Sequence, residues 1–286
     1  MAIAEPAVGQ QLTRPGTVRV VRRGKGGRAG LVVLGAVTLL AVLAPVLAPH
    51  SGTAPVAVGP FHAPLDGGLL GTDELGRDLL SRVLYGLRAS WLSALAVVAS
   101  GVAIGSIVGL VAAMRGGWVD GLLMRTTDLF LALPGPVLTI AVVVALGPSL
   151  PHVLLAVAAV WWPWYARIVR GEVRVQLARS HVDAARLAGV GTLRLARRHL
   201  LPGAVPAVLV TASLDVGNLV LALAALSFLG LGAPPPSPEL GAMAAGGLPY
   251  LLGHPWVAVV PATAVFLLAF AANVAGDRVR DRLDAV

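Results

Sequence analysis

The chain of 286 residues has no cysteine and a single lysine, Lys25. Without cysteine there is no disulfide framework, thiol nucleophile, iron–sulfur cluster or zinc–thiolate site. Lys25 is followed by Gly26, so no GxxxxGK[ST] phosphate loop exists, and any ATP-driven work must draw on a separate polypeptide. Charge is scarce as well: Asp, Glu, Lys and Arg make up 13% of the residues, against roughly 25% in an ordinary soluble domain. The six histidines (His50, His62, His152, His181, His199, His254) form no HxH or i,i+4 pair, and neither HExxH, an aspartate-rich calcium loop nor GxSxG occurs. No catalytic residue, metal site or resident cofactor is therefore expected.

What the chain has in abundance is apolar sequence, 57% of the total, in long charge-free runs. This excludes a soluble or disordered protein. A membrane-crossing helix needs about 20 mainly apolar residues. Six segments meet or approach that length: 30–48, 90–113, 129–147, 150–166, 205–229 and 256–275. The turn signal Gly147-Pro148-Ser149-Leu150-Pro151 divides the third from the fourth. The expectation is an all-α integral membrane protein with an N-terminal tail over 1–28, a six-helix domain over 29–276 and a short tail over 277–286. The first apolar run is longer than a signal-peptide core and lacks a small-residue cleavage site, so it reads as a retained span.

The net charge of +8 marks orientation rather than nucleic-acid binding. With the N-terminus inside, all of the 22 Lys and Arg except Arg77, Arg82 and Arg88 fall on one side of the spans. The positive-inside rule then puts both termini in the cytoplasm.

Within the spans, Asp215 is the one acidic residue, with Asn218 beside it and Asn273 near the end of the sixth span. Ionisable groups there mark function or an interhelical hydrogen bond. The sequence reads more readily as the hydrogen bond; a proton-coupled carrier using Asp215 is the competing class. Gly101, Gly105 and Gly109 form a GxxxGxxxG ridge suited to close approach of another helix, in this chain or a second subunit. Pro134 and Pro136 should bend or break the third span. The stretch from Ala166 to Leu201 is arginine-rich and interrupted at Gly189-Val190-Gly191, predicting short helix, turn, short helix. Read alone, it could also be a solvated basic loop near anionic lipid, or the recruiting surface of a scaffold that transports nothing.

Its residues tip the reading. Asp183-Ala184-Ala185, then Gly189, then Leu201-Pro202 closely resemble the "EAA" loop of ATP-binding-cassette importer permeases, with Asp183 in place of Glu and His199 where the pattern has Ile. Two further blocks resemble the second, C-type subunit of the dipeptide/oligopeptide/nickel permeases. One is Gly71-Thr72-Asp73-Glu74-Leu75-Gly76-Arg77-Asp78 with Ser81 and Arg82; the other is Leu226-Ser227-Phe228-Leu229-Gly230-Leu231-Gly232 followed by Pro234-Pro235-Pro236-Ser237-Pro238-Glu239.

The resemblance implies a type I importer permease fold in a bacterial inner membrane, with the loop 167–204 as a coupling element docking on an ATPase. It also implies a second permease subunit, two ATPase subunits using ATP and Mg²⁺, an extracytoplasmic substrate-binding protein, and peptide as substrate, with nickel or a nickel chelate as the alternative. Asp183 would make the polar contact with the ATPase, Ala184 and Ala185 would allow close packing, and Gly189 would supply the turn. From the residues alone, the block 71–88 reads as an amphipathic helix at the outer interface, neutralised by i,i+4 pairs Asp73–Arg77 and Asp78–Arg82.

Overall fold

A computed structural model describes residues 26–283. The expected tail residues 1–25 and 284–286 lie outside them, and with them Arg14, Arg19, Arg22, Arg23 and Lys25. Ten α-helices account for most of the described chain: α1 Gly26–Leu47, α2 Leu79–Arg115, α3 Gly117–Ala132, α4 Gly135–Leu146, α5 Leu150–Leu177, α6 Ser180–Leu187, α7 Thr192–Leu195, α8 Leu201–Phe228, α9 Leu240–Gly247 and α10 Trp256–Leu283. Among the described residues there are no strands, only the isolated bridges Pro55–Arg77 and Thr72–Asp78. The segments 48–78 and 229–255 gather at one end of the bundle, the cap end, and 178–200 at the other, the loop end.

Four stretches are long and apolar enough to cross a membrane: α2, α5, Thr192–Phe228 and Trp256–Arg282. The pair α3 and α4 would make a fifth, and α1 adds a shorter apolar helix, Val32–Leu47. The third predicted span is thus not a straight crossing, because α3 and α4 meet at 87°. Proline drives the residue before it out of the helical region, and Leu133 has φ −88° and ψ 140° ahead of Pro134. The fourth span, expected to end near 166, runs on to Leu177.

The 147–151 turn forms as its residues dictate. Gly147 takes φ +91°, and the Ser149 side chain caps α5 by accepting from the His152 amide. Helix α8 ends at Phe228, one residue short of the expected bound at 229. Gly230, at φ +81°, closes it with Gly230 N–H donating to Ser227 O and Leu231 N–H donating to Leu226 O, a Schellman motif.

Two apolar cores hold the bundle. One joins α1, α2, α4, α5, α8 and α10 through Trp91, Val97, Val157, Leu219 and Leu268. The second lies at the loop end around Tyr165, Val169, Val173, Val182, Leu195 and Leu200. Only about a third of the most apolar stretch of α2 is buried within the chain, so the rest is left for lipid or neighbouring subunits.

Helix α2 lies directly on α5 along the glycine ridge. A Cβ at Gly105 would fall 2.5 Å from Tyr165 Cβ, 2.7 Å from Trp162 O and 2.8 Å from Ala166 N; at Gly109 it would fall 2.5 Å from Ala166 O. At Gly101 the nearest atoms are those of the Tyr165 ring, at 3.2 Å and beyond. Without a hydrophobic drive between helices in lipid, such small-residue approaches supply the packing. Gly105→Ala is therefore expected to destabilise the bundle by about 1–3 kcal/mol, as overpacking does. Gly101→Ala, facing a ring that can shift, should cost less; thermal unfolding of the purified variants in detergent gives the comparison.

Candidate functional site

At the loop end the chain leaves α5, turns through α6 and α7, and enters α8 through a π-helical turn over Ala196–Leu200. The second short helix is therefore continuous with the fifth span rather than separate from it. Helix α6 is amphipathic: Val182 and Ala185 are buried against the loop-end core, while Asp183, Ala184 and Leu187 are exposed. Gly189, at φ +75°, ends α6 in a second Schellman motif, with Gly189 N–H donating to Arg186 O and Val190 N–H donating to Ala185 O.

The expected docking residues thus divide. Asp183 sits on the open face within 3.7 Å of Arg186, and Ala184 lies beside it. Ala185 is 9% exposed and packs into the chain's own core rather than lying on the open face with Asp183 and Ala184. Pro202 is exposed in the first turn of α8 and Leu201 is half-buried. Two residues that the sequence pattern did not single out for docking, Leu187 and Leu193, are 91% and 71% exposed. The signal was available: in Ser180–Leu187 the heptad-like inward positions are taken by Val182 and Ala185, leaving Leu187 outside. Beside it a recess of about 940 Å³ is lined by Gly189, Gly191, Leu193, Arg194, Arg197 and Arg198.

Next to this loop, α3 is bound to α5 by charge. Asp120 accepts from Arg170 Nε and Nη2 and from Arg174 Nη2 at 2.5–2.7 Å, and Asp128 pairs with Arg167 at 2.6 Å. These pairs are 39 to 54 residues apart in sequence, so no local pattern announces them.

At the cap end the block 71–82 is not an amphipathic helix at the interface. Residues 71–78 form a loop, α2 starts at Leu79, and Thr72, Asp73, Arg77, Asp78, Ser81 and Arg82 are all buried. Asp73 is the centre: Oδ1 accepts from the Leu75 and Arg77 amides, and Oδ2 lies 2.7 Å from Arg77 Nε and 3.2 Å from Arg82 Nε. Arg77 also reaches Glu74 at 2.8 Å. The expected Asp73–Arg77 pair forms, whereas Asp78–Arg82 does not. Asp78 instead caps α2 through Ser81, and Arg82 turns to Asp73 and to the carbonyls of Gly52 and Pro236. Gly71 and Gly76 take φ +79° and +71°, with backbone so close that no Cβ fits at either. Thr72 donates to Gly59 O and accepts from the His62 amide, while Trp256 Nε1 donates to Thr72 O.

Nearby, Glu239 is 3% exposed in the segment preceding α9 and accepts from the Ala233 amide. Burial pushes its carboxyl above the usual carboxylate range, and hydrogen bonds from Ser227 and Ala233 pull partly the other way. In the bundle centre, Asp215 on α8 accepts from Tyr165 Oη at 2.7 Å and Trp161 Nε1 at 3.1 Å, both on α5. Asn273 packs against Gly217, and Asn218 is exposed. Among the described residues no three His, Asp or Glu side chains gather as a metal site.

A bundle of apolar helices with one broken crossing, polar groups at mid-depth and a basic two-helix loop defines a membrane transport component. Residues 101–285 match the family "Binding-protein-dependent transport system inner membrane component", and the chain belongs to that family. It is 41% identical to the probable D,D-dipeptide transport system permease protein DdpC of Escherichia coli, over 88% of this chain and 85% of that one. It is 36% identical to the dipeptide transport system permease protein DppC of Haemophilus influenzae, over 92% and 91%. In fold it is similar to a chain of the MetNI methionine ABC transporter in an inward-facing conformation, with a TM-score of 0.57 at 18% identity, covering 71% of this chain and 96% of that one. The protein is accordingly a multi-pass membrane permease of the ABC importer class.

Two outcomes test the cap end. Asp73→Asn leaves the buried Arg82 without its carboxylate and Arg77 with Glu74 alone, so it should destabilise the cap end by about 3–5 kcal/mol; protease sensitivity of the loop 50–78 in vesicles measures it. Glu239 has a folded pKa above its unfolded one, so its contribution favours the fold below that pKa and is lost as pH rises through it. Glu239→Gln should therefore raise the unfolding temperature at pH 7 and leave it unchanged near pH 4.

Proposed function

We propose that this chain is the C-type permease subunit of an ATP-driven, binding-protein-dependent peptide importer in a bacterial inner membrane, with both termini in the cytoplasm. The observation that carries the reading is the loop end: a small amphipathic helix whose buried face is locked into the permease core and whose open face presents Asp183, Ala184 and Leu187. Beside it lies a recess lined by three exposed arginines. A separate ATPase subunit, one of two that hold ATP and Mg²⁺, would grip this surface from the cytoplasm. Closure of the ATPases would push α6, which shares a core with α5 and α8, and so bias the bundle between two arrangements. The peptide class is supported by the dipeptide permeases that are similar to this chain over most of its length. Exposed leucines at the cap end, Leu65, Leu69 and Leu252, give an extracytoplasmic binding protein an apolar surface to meet. The apolar flanks of the bundle would be shared between lipid and a second, homologous permease subunit.

The absence of native cysteine makes the test direct. Leu187→Cys is expected to cross-link to an ATPase subunit and to label only from the cytoplasmic side. Gly189→Arg, which forces a side chain onto a left-handed backbone position, should abolish peptide uptake and ATPase recruitment while membrane insertion persists. Uptake at the wild-type level in Gly189→Arg, or labelling of Leu187→Cys from outside, would overturn the coupling role.

A further inference from the structure

At mid-depth in the bundle, where the helical break separates α3 from α4, lies an open-sided recess of about 330 Å³ lined by Phe130, Leu133, Gly135, Trp161, Trp164 and Asp215. Asp215 is 14 residues into the 28-residue α8, which puts it about 20 Å from either end of that helix at roughly 1.5 Å per residue. Its volume falls at the lower end of the roughly 300–1,000 Å³ typical of small-molecule sites.

The chemistry of the lining is one-sided. Asp215 Oδ2 is held by Tyr165 and Trp161, both neutral donors. The indoles of Trp161 and Trp164 and the ring of Phe130 form the walls, and Trp164 is half exposed. Donors are few. Pro134 and Pro136 carry no N–H, and the Val137 and Leu138 amides donate to Pro134 O, so the start of α4 has little to offer an anion. The end of α3, at Leu131 and Leu133, presents instead the carbonyl-rich, negative end of a helix dipole. Asn218 stands one turn beyond Asp215 and is exposed, a polar side chain that lipid would leave without partners.

We propose that this recess is a transient binding site for a primary ammonium group, the free amino terminus of a peptide in transit, with Asp215 as counter-ion and the indoles as an aromatic wall. The ammonium is drawn by the carboxylate and by the faces of the rings, and such cation–π contacts strengthen when water is excluded. An ionisable group at mid-membrane is costly to keep; Tyr165 and Trp161 give Asp215 hydrogen bonds but no positive charge, and the cargo supplies that. Tyr165 positions Asp215 and does not touch the ammonium, whereas Trp161 holds the carboxylate through its N–H and lines the recess with its ring. The inference rests on the peptide-import reading above for the identity of the ligand.

The test uses the assembled transporter, purified without its binding protein, and titrates tryptophan fluorescence with alanylalanine amide and with its N-acetyl derivative. The free amine should quench saturably, the acetylated peptide at least tenfold more weakly. Asp215→Asn keeps an acceptor oxygen for Tyr165 and Trp161, and should lose the free-amine response at least tenfold; Asp215→Glu should keep most of it. In vesicles supplied with loaded binding protein and ATP, Asp215→Asn should lower import of alanylalanine at least tenfold. Equal quenching by the two peptides, or a free-amine response indifferent to Asp215→Asn, would overturn the proposal. Quenching as expected without ATP-driven import in the wild type would overturn the importer reading and leave the site standing.

Discussion

The contact between α2 and α5 is the constraint on which the rest of the architecture depends. At Gly105 and Gly109 the two backbones approach so closely that even a methyl group is excluded. That approach fixes the rotation of α5, and α5 carries the donors that reach Asp120, Asp128 and Asp215. Tyr165, pressed against Gly101 and Gly105, is turned so that its hydroxyl meets Asp215 on α8. One turn further, Arg170, whose amide lies beside Gly109, extends its guanidinium to Asp120 on α3. A single glycine ridge thus sets the mid-depth carboxylate and the clamp on the broken crossing. In a solvent that supplies no hydrogen bonds, orientation has to come from packing before polar groups can find one another.

The two ends of the molecule solve different problems. The cap end has short helices and much irregular backbone, and it is held by charge gathered around Asp73. That carboxylate receives two amides and two guanidinium groups, so the expense of desolvating it is met by complete pairing. Arg82 then ties the start of α2 to the carbonyls of Gly52 and Pro236, joining segments over 150 residues apart. The loop end is held by apolar packing instead. Val182, Leu195 and Leu200 enter a common core with Val169 and Val173 of α5.

Local signals made much of this legible. Proline at 134 and 136, glycine at 147 and glycine at 189 each impose a backbone geometry whatever surrounds them, and the breaks fall at those places. Apolar length revealed the crossings because the bilayer sets a minimum, although it gave α5 eleven residues too few. The ridge at 101, 105 and 109 showed a close approach without showing its partner. What stayed hidden depended on three-dimensional pairing. The spacing of Asp78 and Arg82 fits a helical pair, but Asp78 lies just outside the helix as its cap, so the i,i+4 argument had no helix to act on. Ala185 and Ala184 are the same residue type, and only the rotation of α6 decides that one faces the core and the other the exterior.

This distribution of constraint determines how a push at α6 can be felt. Helix α6 shares its core with α5 and with the start of α8, and the π-turn joins α7 to α8 without a flexible linker. Displacement of the loop is therefore displacement of α5 and α8 together. Across those two helices runs the hydrogen-bonded trio Trp161, Tyr165 and Asp215, which keeps them in register at mid-depth. Helix α3 follows α5 through its arginine pairs, whereas α4 is joined to α3 only through a right-angled break whose prolines donate no backbone hydrogen bond. Gly116 and Gly117, both at positive φ with open space around them, form the joint at the other end of α3. The two ends of α3 are therefore where the proposed push would find the fewest packing and hydrogen-bond constraints, and the mid-depth recess lies at one of them.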